Sequence, residues 1–517
     1  MKSIVVESKQ KLVLPRAGNE TLLDIVPHSK PLFMDGQEYI AMEHGVEEMQ
    51  ILRNLGIRDV PAPILNYYDW PARFSPMEHQ RQTSAFLVAN RRALCLNAPG
   101  TGKSLSALWA ADYLLNTGVI NKVLIVSPLS TLKPVWGKEL MHHMPHRNFE
   151  IVVGSRKKRE QILEKVGVDF FIINHDGFTT MPDAFKDFDL IIYDEATALK
   201  TPTSQRFKRF AGFMGDYSPW LWMLTGTPIA QSPVDAWTLA RLVKNKHAER
   251  LSYTGFKDRV MKKVTQFKWI PRPEALDRCK EVLQPSIRYD LDECKDLPDM
   301  VYINRECNLT KVQAEAFKEL QEEACLKDDD VLAPNAAVLF QKLLQVCCGV
   351  AYDSEGKHVS FDDSTRIEML EEIIAEIGDK CIVFVPLRGV QERLYNLLID
   401  KKMDVAMVNG DVGKKERDDI FYKFQNTEQI QILLAHPKVA AHGLTLTRAN
   451  SIIWYAPIYS LESYEQANAR IRRLDTEGKT VIYHLGATPF EFELYKRLET
   501  KQQVLSDFLD MVRGVND

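Results

Sequence analysis

Two series of short apolar runs, each interrupted by helix-compatible segments, narrow the folds open to this 517-residue chain. The first series occupies residues 93–96, 123–126, 170–173, 190–193 and 220–224. The second occupies residues 381–385, 405–408, 432–435, 451–455 and 481–484. Apolar runs of this length alternating with helices read as parallel strands covered on both faces, because each parallel neighbour needs a crossover connection. The expected fold class is α/β, with two tandem parallel-sheet lobes over residues 71–243 and 347–517. Between them, residues 244–346 are rich in charged helix formers and read as a mostly helical insertion and inter-lobe link. Residues 1–70 read as a small α+β module, with the helical spacing of Val46, Met49, Ile51 and Leu52 following two short strand candidates. Pro61, Pro63 and Pro71 then break the chain, leaving two readings open: a separate substrate-reading module, or a packing extension of the first lobe.

The first apolar run leads directly into Asn97-Ala98-Pro99-Gly100-Thr101-Gly102-Lys103-Ser104 and then a helical stretch. Gly100 and Gly102 allow the backbone to turn its N–H groups around an anion, and a helix N-terminus adds partial positive charge. In such a loop Lys103 reaches β- and γ-phosphates, Ser104 meets Mg²⁺, and Thr101 lies within the nucleotide-binding stretch. The pattern departs at one place, where Asn97 stands at the position of the first glycine.

Asp194 and Glu195 end another apolar run, about 90 residues downstream. Asp194 suits the Mg²⁺ shell, and Glu195 suits orienting and deprotonating an attacking water. Alone, the pair reads more often as a solvated turn; the loop upstream reverses that preference in favour of the catalytic reading. Thr225-Gly226-Thr227-Pro228 forms a tight turn after the next run. In the second series, Arg470 and Arg473 stand at i, i+3 and are expected on one helix face, where guanidinium groups could fork onto phosphate oxygens. Without context that face would simply be solvated.

Composition sets limits. The formal net charge is −4, so any nucleic-acid surface must be local. The eight cysteines form no Cys-x-x-Cys pair and read as buried free thiols in a reducing cytoplasm. No run of 18 apolar residues marks a membrane span, and no secretory signal is evident.

Taken in order, these segments resemble the superfamily 2 helicase-like ATPases, and within them the Swi/Snf-related branch of duplex translocases. Pro76-Met77-Glu78-His79-Gln80 is similar to the glutamine motif that reads adenine. Residues 124–132 with Trp136 and Glu139 resemble motif Ia, residues 172–176 motif Ib, residues 194–197 motif II and residues 224–228 motif III. Leu297-Pro298, Leu309-Thr310 and Gln313 resemble the inter-lobe segment, and Asn409-Gly410-Asp411 the stretch after motif IV. Residues 441–447 resemble motif V and residues 466–473 motif VI, so the likeness runs from about 74 to 490.

The resemblance implies two RecA-like lobes, ATP and Mg²⁺ as cofactors, and a compact phage- or bacterial-type member that hydrolyses ATP to move along double-stranded or branched DNA. Gln80, Gly100, Thr101, Gly102, Lys103, Ser104, Asp194 and Glu195 would contact ATP·Mg from one lobe. Gly443, Gln466, Arg470 and Arg473 would act from the other, with the arginines as fingers. Ser127, Pro128, Asn174 and Thr447 would lie along the DNA backbone. Residues 1–70 would then be candidates for reading DNA structure. Departures from the branch pattern include Thr197 for a histidine, Thr445 for an asparagine, and Leu474-Asp475-Thr476 after motif VI. A monomer in the cytoplasm, a host's if the gene belongs to a phage, is the expected state. Two rival readings stay open: a fork-acting helicase that separates or anneals strands, and an ATP-switched regulator of RNA polymerase or another DNA-bound protein.

Overall fold

The computed structural model describes residues 4–6, 10–57, 59–71, 75–229, 232–243, 252–264, 269–294, 300–325, 336–352, 358–440, 446–471 and 479–500. Its chain divides into two compact units. The first comprises Met1–Pro228, Ala236–Arg250 and Lys280–Cys294, and the second Ile229–Asp235, Leu251–Cys279 and Lys295–Asp517.

The first unit begins with strands β1 (Ile4–Val6), β2 (Lys11–Pro15), β3 (Lys30–Met34) and β4 (Gln37–Glu43), paired antiparallel in the order β1-β2-β4-β3. The helix Val46–Asn54 follows, so the α+β content expected of residues 1–70 is present. This region does not bury a core of its own, however. Leu12, Ile40, Met42, Met49 and Leu52 belong to one contiguous cluster with Leu87, Val88, Leu108 and Trp109 of the larger fold. The proline-bearing stretch after Val60 is tied down as well: Tyr68 Oη donates to the buried Asp112 carboxylate at 2.6 Å, and the Trp109 indole donates to Pro71 O at 2.9 Å. The packing-extension reading accounts for these contacts; a separable module does not.

Six longer strands and one short one then form a wholly parallel sheet. They are β5 (Arg92–Cys95), β6 (Val123–Ser127), β7 (Phe149–Val152), β8 (Phe170–Asn174), β9 (Leu190–Asp194), β10 (Trp220–Leu224) and, beyond an excursion into the second unit, the two-residue β13 (Ser286–Ile287). Their order is β13-β5-β10-β9-β6-β8-β7. The central strands are buried along almost their whole length, as expected of a parallel sheet with helices on both faces.

The second unit holds another parallel sheet, with β14 (Met300–Glu306), β17 (Cys381–Phe384), β18 (Val405–Val408), β19 (Ile432–Ala435), β20 (Ser451–Trp454) and β21 (Thr480–Gly486) in the order β14-β21-β20-β17-β19-β18. It also contains the hairpins β11 (Met261–Lys263)–β12 (Trp269–Pro271) and β15 (Val350–Tyr352)–β16 (His358–Ser360). At its centre Arg366 and Glu491, both essentially without exposure, pair at 2.6 Å, and Arg366 also donates to Tyr455 O.

The described part of residues 244–346 is mostly helical, as expected, but it also holds strands that the sequence reading passes over. Among the described residues there are four, of which β13 extends the first sheet and β14 is the edge of the second. Both escape an apolar-run search because an edge strand keeps partly exposed, polar side chains, as in the Met-Val-Tyr-Ile-Asn-Arg-Glu of β14. No described helix is long and apolar enough to cross a membrane.

Candidate nucleotide site at the carboxyl edge of the first sheet

Each loop that leaves the carboxyl end of β5, β10, β9, β6 or β8 carries one of the segments singled out from sequence, so all five lie along a single edge of the first sheet. In open α/β sheets this edge is where ligands bind. β5 sits between β13 and β10, both from much later in the chain, and its loop opens beside them.

That loop turns on two glycines in the left-handed region, Gly100 at φ +87° and Gly102 at φ +83°, and the helix Lys103–Asn116 starts immediately after. The positive φ at Gly102 calls for glycine, and a Cβ there would also displace the Gln80 amide, whose Nε2 would lie 2.3 Å away. Thr101 is buried and its hydroxyl donates to Ala98 O at 2.9 Å. The Lys103 ammonium donates to Asn97 O at 2.8 Å and Ala98 O at 3.1 Å, curling back over its own loop. Burial pushes the Lys103 ammonium down in pKa, while the Cys95 thiol and the carboxylates of Glu195 and Asp194 pull the other way. Ser104 is the second residue of the helix.

Gln80, the expected adenine reader, also braces the loop. Its Oε1 accepts from Met77 N at 3.0 Å and its Nε2 donates to Thr101 O at 3.3 Å, so both ends of the amide are engaged in bracing the loop. His79 Nε2 meets the same carbonyl at 2.9 Å.

Asn97 explains its own departure from the glycine pattern. The side chain is buried, donates through Nδ2 to Thr83 Oγ1 at 2.9 Å, and accepts from Tyr289 N at 3.0 Å through Oδ1. It thereby joins the Glu78–Ala89 helix to the strap that continues β13. That strap follows the loop backbone: Leu96 N donates to Ile287 O and Ala98 N to Tyr289 O, both at 2.8 Å. Arg288 donates to Leu96 O at 3.2 Å and to Gly226 O at 3.3 Å. Gly226 in turn packs so closely on Pro99 that a Cβ would lie 2.8 Å from the proline ring. The Thr227 hydroxyl beside it is buried without a hydrogen-bond partner. Tyr289 and Arg288 lie almost 200 residues from the loop and carry no motif of their own, so a motif search passes over them; the misfit of Asn97 is the one available signal.

Asp194 ends β9, and Glu195 follows in the left-handed region at φ +50°, a conformation that is uncommon and costly for a residue with a side chain. The Glu195 amide donates to Asp194 Oδ1 at 3.0 Å. Asp194 Oδ2 accepts from Ser127 Oγ at 2.8 Å and from the Trp136 indole at 3.0 Å. Thr131 Oγ1 lies 2.5 Å from Ser127 Oγ. Ser127 has no exposure at all, which overturns its expected place on a DNA path. It ends β6 just past the Val126–Tyr193 pairing, and this register brings the hydroxyl under the carboxylate instead. Pro128 and Asn174, the other two first-unit positions expected on that path, are half-exposed at the same edge. His175 stacks on Tyr193 with ring centroids 4.9 Å apart, and its Nε2 meets Asp194 O at 2.9 Å. Burial pushes the imidazole down to about 4, so it is neutral and donates Nε2–H to that carbonyl. Thr197, where the branch has histidine, is buried.

In the second unit, Gln466 is buried within the helix Leu461–Asn468. Arg470 does not share its helix face, because the helix stops at Asn468, whose Oδ1 accepts from the Trp454 indole at 2.9 Å. Arg470 stands in the following turn, with Nε donating to Gln466 O at 3.1 Å. Thr447 Oγ1 accepts from Gln425 at 3.2 Å and is half-buried. Gly443, Thr445 and Arg473 lie outside the described residues.

Residues 79–348 match the SNF2-related domain, and residues 365–475 match the helicase conserved C-terminal domain. The chain belongs to the SNF2-related family. It is accordingly an ATP-using, helicase-like enzyme. Protein p41 of Acyrthosiphon pisum secondary endosymbiont phage 1 is 27% identical to it over 84% of this chain and 98% of its own length. The uncharacterized ATP-dependent helicase MG018 of Mycoplasma genitalium is 22% identical, but this SNF2-related chain spans only 39% of that longer protein. Among solved structures, the Sulfolobus solfataricus SWI2/SNF2 ATPase core in complex with dsDNA aligns over 86% of this chain and 95% of its own, at 22% identity and a TM-score of 0.40.

Proposed function

We propose that this SNF2-related protein is a double-stranded DNA translocase driven by ATP hydrolysis. The observation that carries the reading is the convergence of Lys103, Asp194 and Glu195 on one edge of a parallel sheet, around a two-glycine loop. Lys103 neutralises phosphate charge, and the N–H groups that open the helix Lys103–Asn116 take phosphate oxygens. Glu195 orients a water against the terminal phosphorus and accepts its proton as the phosphoryl group leaves. Asp194 Oδ2 is saturated by Ser127 and Trp136, while Oδ1 accepts one bond and keeps a lone pair for an ion or its water shell. Mg²⁺ fits there together with Ser104, and it would supply charge neutralisation of the phosphates. The buried, unpartnered Thr227 hydroxyl also suits a hydrogen bond to nucleotide or water. Arg470 and Arg473 are proposed to add guanidinium charge to the phosphates, as the family resemblance implies.

For DNA, support comes from the family match and from Pro128 and Asn174, half-exposed beside the nucleotide edge, where they can meet backbone phosphates without reading bases. ATP turnover measured without DNA, with a single strand and with a duplex of equal length tests the proposal. Duplex is expected to be the best activator, with stimulation falling steeply as salt rises. A single strand activating better would instead favour strand separation.

A further inference from the structure

We infer that the β11–β12 hairpin of the second unit is a docking surface for the phosphate backbone of double-stranded DNA, an inference that rests on the translocase reading. Against a chain with net charge −4, the described residues from 257 to 272 carry Lys257, Arg259, Lys262, Lys263 and Arg272 with one carboxylate, Asp258. Lys262 and Lys263 are exposed on β11.

The cations stand on a folded platform. Phe256, Val260, Met261, Ala275 and Cys279 are buried beneath them, and Cys279 Sγ donates to Pro233 O at 3.3 Å. Arg272 Nε donates to Asp258 O at 3.1 Å and Met261 O at 3.2 Å, and Arg278 donates to Arg259 O at 3.0 Å. These two arginines occupy the last carbonyls of the helix Tyr253–Val260 and hold the hairpin against it. A charged segment that merely solvates the surface has no need of such bracing.

The chemistry of the face selects the ligand. Lys263 is directly opposite Trp269 in the antiparallel register, and the Lys257 ammonium sits 3.9 Å from the Trp269 ring centroid. The half-buried indole thus carries the Lys257 ammonium on its ring and has Lys263 as its cross-strand partner. Because one ammonium already covers the ring, Trp269 is poorly placed as a stacking platform for an unpaired base. Exposed ammonium groups on both faces of a short hairpin instead suit phosphates and the sugar edge of an intact backbone, which are met without base readout.

The test measures binding of the full chain to a 20-base-pair duplex by fluorescence anisotropy from 50 to 250 mM salt. It compares wild type, Lys262→Glu/Lys263→Glu, Trp269→Ala, and Lys186→Glu as a charge control on an exposed site of the first unit. Removing one or two phosphate contacts should lower the slope of log affinity on log salt by about 1 to 2. The double variant is expected to show that loss and at least a tenfold weaker Kd, with ATP turnover without DNA unchanged; Lys186→Glu should keep the wild-type slope. Wild-type slope and affinity in the double variant would overturn the hairpin proposal alone. So would a loss confined to single-stranded DNA. Failure of the wild-type protein to bind duplex at all would overturn the translocase reading on which it rests. Trp269→Ala, which removes no charge, should weaken binding with the salt slope intact, and an unchanged Kd there would also count against the proposed face.

Discussion

Replacing Asn97 with alanine should loosen the strap that follows the phosphate-binding loop. The substitution removes the bond to Thr83 Oγ1 at 2.9 Å and the acceptor for Tyr289 N at 3.0 Å. The Ala98–Tyr289 backbone bond at 2.8 Å survives, so the strap should open locally rather than detach. Thr83 keeps its hydroxyl bond to His79 O at 2.7 Å, which leaves the Tyr289 N–H as the main orphan. Stranding one half-buried donor and losing a second modest bond costs about 2 kcal/mol. At 1.4 kcal/mol per factor of ten, the Tyr289 amide should exchange with solvent about 30-fold faster. The KM for ATP should rise by up to a similar factor, since the loop must be reordered before it can hold phosphate. Amide hydrogen exchange by mass spectrometry, beside ATPase kinetics, reads both. Thr83→Val provides the contrast: it breaks the other end of the bridge and should leave Tyr289 protected. Unchanged exchange at Tyr289 together with an unchanged KM in Asn97→Ala would refute the bridging role.

Three further outcomes follow from the same geometry. Lys103→Ala should abolish ATP turnover, whereas Glu195→Gln should retain nucleotide binding by calorimetry and lose hydrolysis; wild-type turnover in the latter would remove Glu195 from the chemistry. Ser127→Ala, which deletes one hydrogen bond to a carboxylate, should lower kcat about 10- to 100-fold at unchanged duplex affinity, because such bonds contribute about 1.5–3 kcal/mol; weakened DNA binding with normal kcat would return Ser127 to a DNA path. His175 titrates at about 4 in the folded chain against its ordinary value of 6.5, so the unfolded chain binds the proton first and stability should fall as pH drops from 6.5 toward 4. The loss should approach about 3 kcal/mol in the first unit, and His175→Phe should flatten that part of the tryptophan-fluorescence unfolding profile.

Much of this arrangement is legible in the sequence alone. Strands buried on both faces must be apolar throughout, so β6, β9 and β10 announce themselves, and the loops after them supply the motifs in order. What stays hidden depends on long-range placement. A hydroxyl at the end of a strand looks the same whether it faces solvent or, like Ser127, sits beneath a carboxylate from the neighbouring strand. The two-residue β13 has no periodicity to detect, yet it aligns the strap that meets Asn97. The spacing of Arg470 allows a helix face, but the helix ends at Asn468, two residues before it. The N-terminal strands read as a module by composition and prolines, whereas their apolar residues are buried in one cluster with Leu87, Val88, Leu108 and Trp109.

Displacement of a third strand from a triplex tests the translocase claim most directly, since movement along an intact duplex strips the third strand while leaving the duplex paired. With wild-type protein and ATP, release should require a duplex arm on which to load, should vanish in Lys103→Ala, and should leave the underlying duplex intact on a native gel. No release above the Lys103→Ala background, or release accompanied by separation of the duplex itself, would contradict it.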